Sequence, residues 1–255
     1  MKLASWGLDL LDLLLPPGCA ACKTWQPGGR GAPLVCGRCR SRLRVAPWPR
    51  CPRCHFPRGA RRVDAPDCLE CREWPEALTA ARYAYVLEHP ADDLVHALKY
   101  EGWRELADVM GGALVDLIDS GTVVGVRARD PVVVPVPTTA RRLARRGYNQ
   151  AELLAARLAA GRDCALVHAL VRAGEGRSQT ALSPTERREN VRGAFAPVRA
   201  AEPTVSGADI VLVDDVLTTG ATASEAAAAL AAMGAASVTL VAFARALPMA
   251  PRRPA

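Results

Sequence analysis

Asp214 and Asp215 stand side by side after the apolar run Ile-Val-Leu-Val at residues 210–213, and Thr218, Thr219, Gly220, Ala221 and Thr222 follow them. Adjacent carboxylates can accept hydrogen bonds from sugar hydroxyls or hold a hydrated Mg²⁺, which takes one or two carboxylates and keeps several waters. The small hydroxylated residues let backbone approach an anion, offer side-chain hydroxyls and lead into a helix N-terminus, where free N–H groups and the macrodipole favour phosphate. Together these groups suit a sugar phosphate. Positioning them takes a strand, a loop and a helix in that order. Residues 210–213 read as a central strand of a parallel sheet, with the acids at its carboxyl end, the edge where open α/β sheets bind ligands. Thr222 and Glu225 fit a capping box opening the helix.

A second chemistry lies in the cysteines. Eight of the nine form four C-x-x-C pairs, Cys19/Cys22, Cys36/Cys39, Cys51/Cys54 and Cys68/Cys71. One pair offers a Zn²⁺ ion two thiolates, and two pairs complete a closed tetrahedral structural site. The first four cysteines recur 32 residues later as the second four, a duplication that favours two tandem zinc ribbons, with an interleaved cross-brace as the alternative. Disulfides would need an oxidising compartment. No signal peptide is expected, because Asp9 and Asp12 interrupt the apolar N-terminus. Leu8, Leu11, Leu14 and Leu15 instead mark one face of a short amphipathic helix. No run reaches the roughly 18 to 20 apolar residues of a membrane span. The expectation is a cytoplasmic protein with no membrane contact, where reduced thiols serve metal, and four pairs suit two metals better than one redox site.

The 255 residues, half of them apolar, suffice for one α/β core plus a small module that needs metal. The boundary is expected near residue 75, giving segments 1–75 and 76–246 and a disordered proline- and arginine-rich tail, 247–255. The whole formal charge of +7 falls in the first segment. A basic module points to nucleic acid, but eight thiolates and two Zn²⁺ reduce it to about +3. Trp25, Trp48, Phe56 and Trp74 are candidates either for stacking on single-stranded bases or for a small core. Strands are expected over residues 83–87, 132–136, 165–172, 210–214 and 237–243. Helices are expected from Pro90 to about Tyr100, over about 104–119, after Asn149, and in the alanine-rich stretch ending near Gly234.

Residues 210–222 resemble the 5-phosphoribosyl-1-pyrophosphate (PRPP) binding motif of type I phosphoribosyltransferases. The Walker B half of a nucleotide hydrolase also ends a strand in acids, but the chain has no G-x-x-x-x-G-K-[ST]. Three further segments follow in family order. Leu98-Lys99-Tyr100-Glu101-Gly102 resembles the pyrophosphate loop. Pro135-Val136-Pro137 leads into Arg145-Arg146-Gly147-Tyr148-Asn149-Gln150. Arg177-Ser178-Gln179-Thr180 begins a stretch ending Asn190-Val191-Arg192-Gly193-Ala194-Phe195. With the cysteine module they resemble the ComF family of competence-associated, phosphoribosyltransferase-like proteins, up to about residue 245.

That resemblance implies a type I phosphoribosyltransferase-like α/β fold, a parallel sheet flanked by helices, with an N-terminal double zinc ribbon. It implies two structural Zn²⁺ and Mg²⁺ bound with PRPP. Asp214 and Asp215 would hold the ribose hydroxyls, and Thr218, Thr219, Gly220, Ala221 and Thr222 the 5′-phosphate. Lys99 and Tyr100 would lie at the pyrophosphate, in a loop that often contains a non-proline cis peptide in this family. Arg177 and Arg188 would act from a flexible hood that closes over the substrate. The implied activity is phosphoribosyl transfer to a nitrogenous acceptor with release of pyrophosphate. The alternative is a PRPP- or nucleotide-sensing adaptor that docks to single-stranded DNA or a DNA-uptake helicase. No sequence signature identifies the acceptor, and the four histidines lack a catalytic partner. Cys164 reads as packing, and a homodimer is left open.

Overall fold

The computed structural model describes residues 18–27, 31–59, 68–121, 131–172 and 193–247. The expected N-terminal helix, the hood with Arg177 and Arg188, and nearly all of the tail fall outside them.

In the cysteine region, α1 (Gly37–Arg42) begins at Cys36, whose sulfur accepts from the Cys39 N–H. Then come β1 (Leu78–Val86), α2 (Ala91–Tyr100), α3 (Leu106–Asp119), β2 (Val132–Pro135), α4 (Ala140–Arg146) and α5 (Gln150–Arg162). The chain continues through β3 (Leu170–Arg172), β4 (Phe195–Pro197), the short α6 (Glu202–Val205), β5 (Asp209–Leu217), α7 (Ala221–Ala232) and β6 (Ser237–Arg245). The main sheet has the order β1-β6-β5-β2 and is parallel throughout, while β3 and β4 make a separate antiparallel pair.

Burial on both faces explains why β5 and β6 are almost continuously apolar. Ile210 and Leu212 of β5 face one core with α7, whereas Val211 and Val213 face the other with α2, α3 and α5. Cys51, Cys54, Cys71 and Trp74 join the first of these cores, and Cys19, Val35 and Cys39 join the second. The two cysteine groups therefore cover opposite faces of one sheet.

Several expectations are corrected. β1 starts at Leu78 rather than 83, because residues 78–82 pair with β6 and bury Arg82, whose guanidinium donates to the Arg53 and Pro52 carbonyls. β5 does not end at Asp214 but runs on through Asp215 to Leu217, held by β6. Residues 165–172 are not one strand. Leu166 makes an isolated parallel bridge to Val133, and the chain then leaves to pair Leu170–Arg172 with β4. The capping box does not form: the N-cap of α7 is Gly220, with φ +84°, and Glu225 accepts instead from the Gly193 N–H at 3.0 Å. Helix α4 has no counterpart among the expected elements.

Candidate functional site

The acidic pair lies in β5, beyond the last residue of neighbouring β2, which stops at Pro135 opposite Val213. A strand that outruns its neighbour leaves its last side chains at a crevice. The Asp215 N–H donates to Asp214 Oδ1 at 2.8 Å. Lys99, in the last turn of α2, brings Nζ to 2.5 Å from Asp215 Oδ2, with the two side chains 19% and 3% exposed. Among the described residues, Asp214 makes no ion pair as close as this one. Loss of water, then the charge of Asp215, push its pKa up to about 8, with Lys99 partly opposing the shift.

These acids open into a cavity of about 730 Å³. Thr218 and Thr222 line it on the loop side, and Lys99 and Tyr100 from α2. Facing them is a wall the sequence reading largely missed. Arg141, Arg142, Arg145 and Arg146 of α4 and Arg172 at the end of β3 all line the cavity. Among the described lining residues, six cations meet two carboxylates. Burial lowers the pKa of Arg146 and Arg172, the mark of guanidinium groups drawn partly out of water. Such a surplus suits a ligand with several negative charges.

The local sequence builds this wall. Thr139 caps α4 by accepting from the Arg142 N–H at 3.3 Å, and Gly147 closes it at φ +80°. Arginines at i, i+1, i+4 and i+5 then share one helix face. This threonine-to-glycine bracket is a helix signal that the sequence contained. The Tyr148 hydroxyl donates to the Leu98 carbonyl, tying α2 to this segment. Asn149 caps α5 while its Nδ2 donates to the Val136 carbonyl at 3.0 Å.

The structure thus brings Lys99, Tyr100, Asp214, Asp215, Thr218 and Thr222 together. Thr219 and Gly220 do not line the cavity but rest on Trp74, and Ala221 is the first residue of α7. Lys99 and Tyr100 are helical rather than in a loop, and the cis peptides among the described residues are Trp48–Pro49 and His89–Pro90.

The cysteines form two tandem clusters, Cys19/Cys22/Cys36/Cys39 and Cys51/Cys54/Cys68/Cys71, each with its sulfurs within 4.8 Å of one another. Sulfurs about 2.3 Å from a tetrahedral Zn²⁺ lie ~3.8 Å apart. The sulfur pairs Cys22–Cys36 and Cys51–Cys71 are at 3.8 Å, and Cys54–Cys68 at 3.7 Å. These spacings are consistent with zinc, and the grouping of the sulfurs excludes the cross-brace. Among the four candidate stacking residues, Trp25 and Trp48 are 59% and 67% exposed, whereas Trp74 is buried and Phe56 packs under Arg245. No helix among the described residues is long and apolar enough to cross a membrane.

The raised pKa of Asp214 has a sign that can be tested. A carboxyl protonated more readily in the folded chain stabilises it at low pH, and that contribution fades as pH rises from the ordinary carboxylate range through about 8. Asp214→Asn is therefore expected to melt with the native protein near pH 4 and several degrees above it beyond pH 8, measured without divalent cations. Parallel melting curves across that range would contradict the assignment.

A family model described as the phosphoribosyl transferase domain matches residues 97–252. The DNA utilization protein YhgH of Escherichia coli K12 is 32% identical over 238 residues, covering 92% of this chain and all of the relative. Competence protein ComFC of Bacillus subtilis is 30% identical over 213 residues, covering 80% of this chain and 81% of its own. Competence protein F of Haemophilus influenzae is 35% identical over 115 residues, 45% of this chain and half of the relative.

Proposed function

We propose, from the premise that this chain belongs to the ComF/YhgH family and carries its phosphoribosyl transferase domain, that it binds PRPP with Mg²⁺ and transfers the phosphoribosyl group to a nitrogenous acceptor. The observation that carries the proposal is the cavity itself, in which an acidic pair and a threonine loop face six cations. In this reading residues 1–75 form a double zinc-ribbon module and 76–246 the transferase domain of a cytoplasmic protein.

The residues divide the ligand by charge. Thr218, Thr222 and the backbone of residues 219–221, at the start of α7, take the 5′-phosphate. Asp214 and Asp215 accept from the ribose hydroxyls and are the residues that would hold a hydrated Mg²⁺, which would supply further positive charge against the pyrophosphate. Lys99 and the α4 arginines receive the pyrophosphate, so Lys99 must exchange Asp215 for a phosphate oxygen as ligand enters. The bond from ribose C1 to the pyrophosphate oxygen breaks with its electron pair leaving on oxygen. Preorganised cations oppose the charge that develops there. A bond from C1 to the acceptor nitrogen forms, and the acceptor proton passes to solvent. Tyr100, the aromatic of the described lining, exposed and with the Arg146 guanidinium 5.4 Å from its ring, offers a surface for a planar acceptor.

Calorimetric titration of Mg²⁺-PRPP into the zinc-loaded protein tests this. Saturable binding is expected, and its loss in folded Asp214→Asn/Asp215→Asn. A wild type that binds no PRPP removes the proposal. Pyrophosphate release in a screen of nitrogenous acceptors then separates transfer from binding alone.

A second reading rests on exposed Trp25 and Trp48, the Arg50 guanidinium 4.6 Å from the Trp48 ring, and the relatives named for DNA utilization and competence. Here the cysteine region stacks on single-stranded DNA or docks to a DNA-uptake helicase, and PRPP or a nucleotide is a signal. Oligonucleotide affinity that falls steeply with salt and is lost in Trp25→Ala/Trp48→Ala would support it. Salt-insensitive or absent binding would count against it.

A further inference from the structure

We infer that Trp74 is a positioning residue for the phosphate loop, and that through it the metal-bound geometry of the second cysteine cluster sets the shape of the anion cradle. The inference rests on the PRPP reading of the cavity and names what holds that loop in place.

Trp74 follows Cys71 by three residues and is 7% exposed, among the sheet residues of one core. Its indole Nε1–H donates to the Thr219 carbonyl at 3.2 Å. The ring also lies flush on Gly220: a Cβ added there would stand 2.6 Å from three indole atoms. Gly220 is at φ +84°, which independently favours glycine. Two contacts thus hold the turn from β5 into α7 from behind. The hydrogen bond also sets its polarity. In a trans peptide the carbonyl of one residue and the N–H of the next point in opposite directions. Fixing the Thr219 carbonyl on the indole therefore directs the Gly220 N–H away from Trp74, and among the described residues no backbone carbonyl accepts from it.

The second cluster in turn holds Trp74. Arg53 lies within the Cys51/Cys54 pair, and its guanidinium donates to the carbonyls of Cys71, Trp74 and Pro75 at 3.1, 3.2 and 2.7 Å. The Trp74 N–H donates to the Cys71 carbonyl at 3.2 Å. Thiolates drawn together by a metal would fix both ends of this link, Arg53 between two ligands and Trp74 behind a third. The first cluster touches the other end of the site. Lys23 pairs with Glu101 at 2.5 Å, just beyond Lys99, but this pair is exposed, and exposed pairs hold little. The two duplicated knuckles therefore differ in their coupling to the site.

The test uses the full zinc-loaded chain and two probes, ribose 5-phosphate for the loop and inorganic pyrophosphate for the Lys99 end, each titrated calorimetrically. Trp74→Phe keeps a ring but loses the indole donor. It is expected to weaken ribose 5-phosphate binding about tenfold and to leave pyrophosphate within about twofold, with zinc still filling both clusters. Trp74→Ala should weaken the sugar phosphate further, so that phenylalanine partly rescues alanine, an ordering and a probe split that general destabilisation would not produce. Cys54→Ser should weaken ribose 5-phosphate binding more than pyrophosphate binding, whereas Cys22→Ser should show no such split. Should Trp74→Ala fail to fold, Trp74→Phe still decides. Unchanged ribose 5-phosphate affinity in Trp74→Phe, or equal losses for both probes, would overturn the inference while leaving the PRPP reading intact. A wild type that binds neither probe nor PRPP would overturn the reading and this inference with it.

Discussion

Lys99→Met is expected to abolish PRPP binding and to lower folding stability by about 3–5 kcal/mol, the cost of leaving one member of a buried ion pair uncompensated. Methionine keeps the length and apolar stem of lysine, so packing changes little. What changes is Asp215, whose carboxylate is 3% exposed and has the Lys99 ammonium 2.5 Å away. Without it the Asp215 carboxylate is left uncompensated in a desolvated site, beside an Asp214 whose pKa is already raised. The double variant Lys99→Met/Asp215→Asn removes the stranded charge together with its partner. It should regain most of the lost stability and none of the binding. Denaturant unfolding of the three proteins beside PRPP calorimetry checks both halves. If the single variant were as stable as wild type, the Lys99–Asp215 pair would not be the electrostatic centre of the site.

Removing the metal is expected to have the other large effect. Structural zinc contributes about 10–16 kcal/mol of apparent binding free energy, comparable with or greater than the ~5–15 kcal/mol that holds a typical protein folded. Here the clusters are not an appendage. Cys51, Cys54 and Cys71 share a core with Ile210, Leu212 and α7, and Cys19 and Cys39 share one with Leu94, Leu98 and Val211. Chelation should therefore melt the sheet as well as the knuckles, seen as loss of a cooperative thermal transition by circular dichroism as zinc leaves. The clusters should differ in degree. The second lies deeper, with Cys54 fully buried and its carbonyl accepting from the buried Arg245 at the end of β6. Cys54→Ser is expected to destabilise more than Cys22→Ser, whose sulfur is half-buried. A metal-free protein that retains its sheet and its melting temperature would show that the thiols alone suffice for packing.

Much of this was legible because the decisive residues are neighbours in the chain. The strand, Asp214 and Asp215, the threonine loop and the start of α7 follow one another within residues 209–232, so sequence order is spatial order. The cysteine pairs are likewise local, and their 32-residue repeat favoured the tandem pairing that the structure then showed over the cross-brace. Two local signals were read wrongly. Thr222 and Glu225 have capping-box spacing, but Gly220 adopts the cap position, leaving Glu225 to the Gly193 N–H. Residues 165–172 look continuously extended, yet their first part bonds to β2 and Leu170–Arg172 pair with β4. Helix α4 was overlooked although Thr139 and Gly147 bracket it, and with it went the shared face of its arginines.

The sequence by itself determined the local groupings: an acidic pair followed by a threonine loop, two four-cysteine clusters, and a parallel α/β core to carry them. These depend on spacings of a few residues, which local backbone geometry converts directly into distances. Tertiary structure alone decided that Lys99 pairs with Asp215, that five arginines close the cavity, and that Trp74 lies behind Gly220. These partners are separated by up to 146 positions in the chain and meet only because the strand order β1-β6-β5-β2 folds distant segments onto the same sheet edge. Sequence spacing carries no distance across such crossovers, since long-range contact is set by which strands pair and how their helices pack.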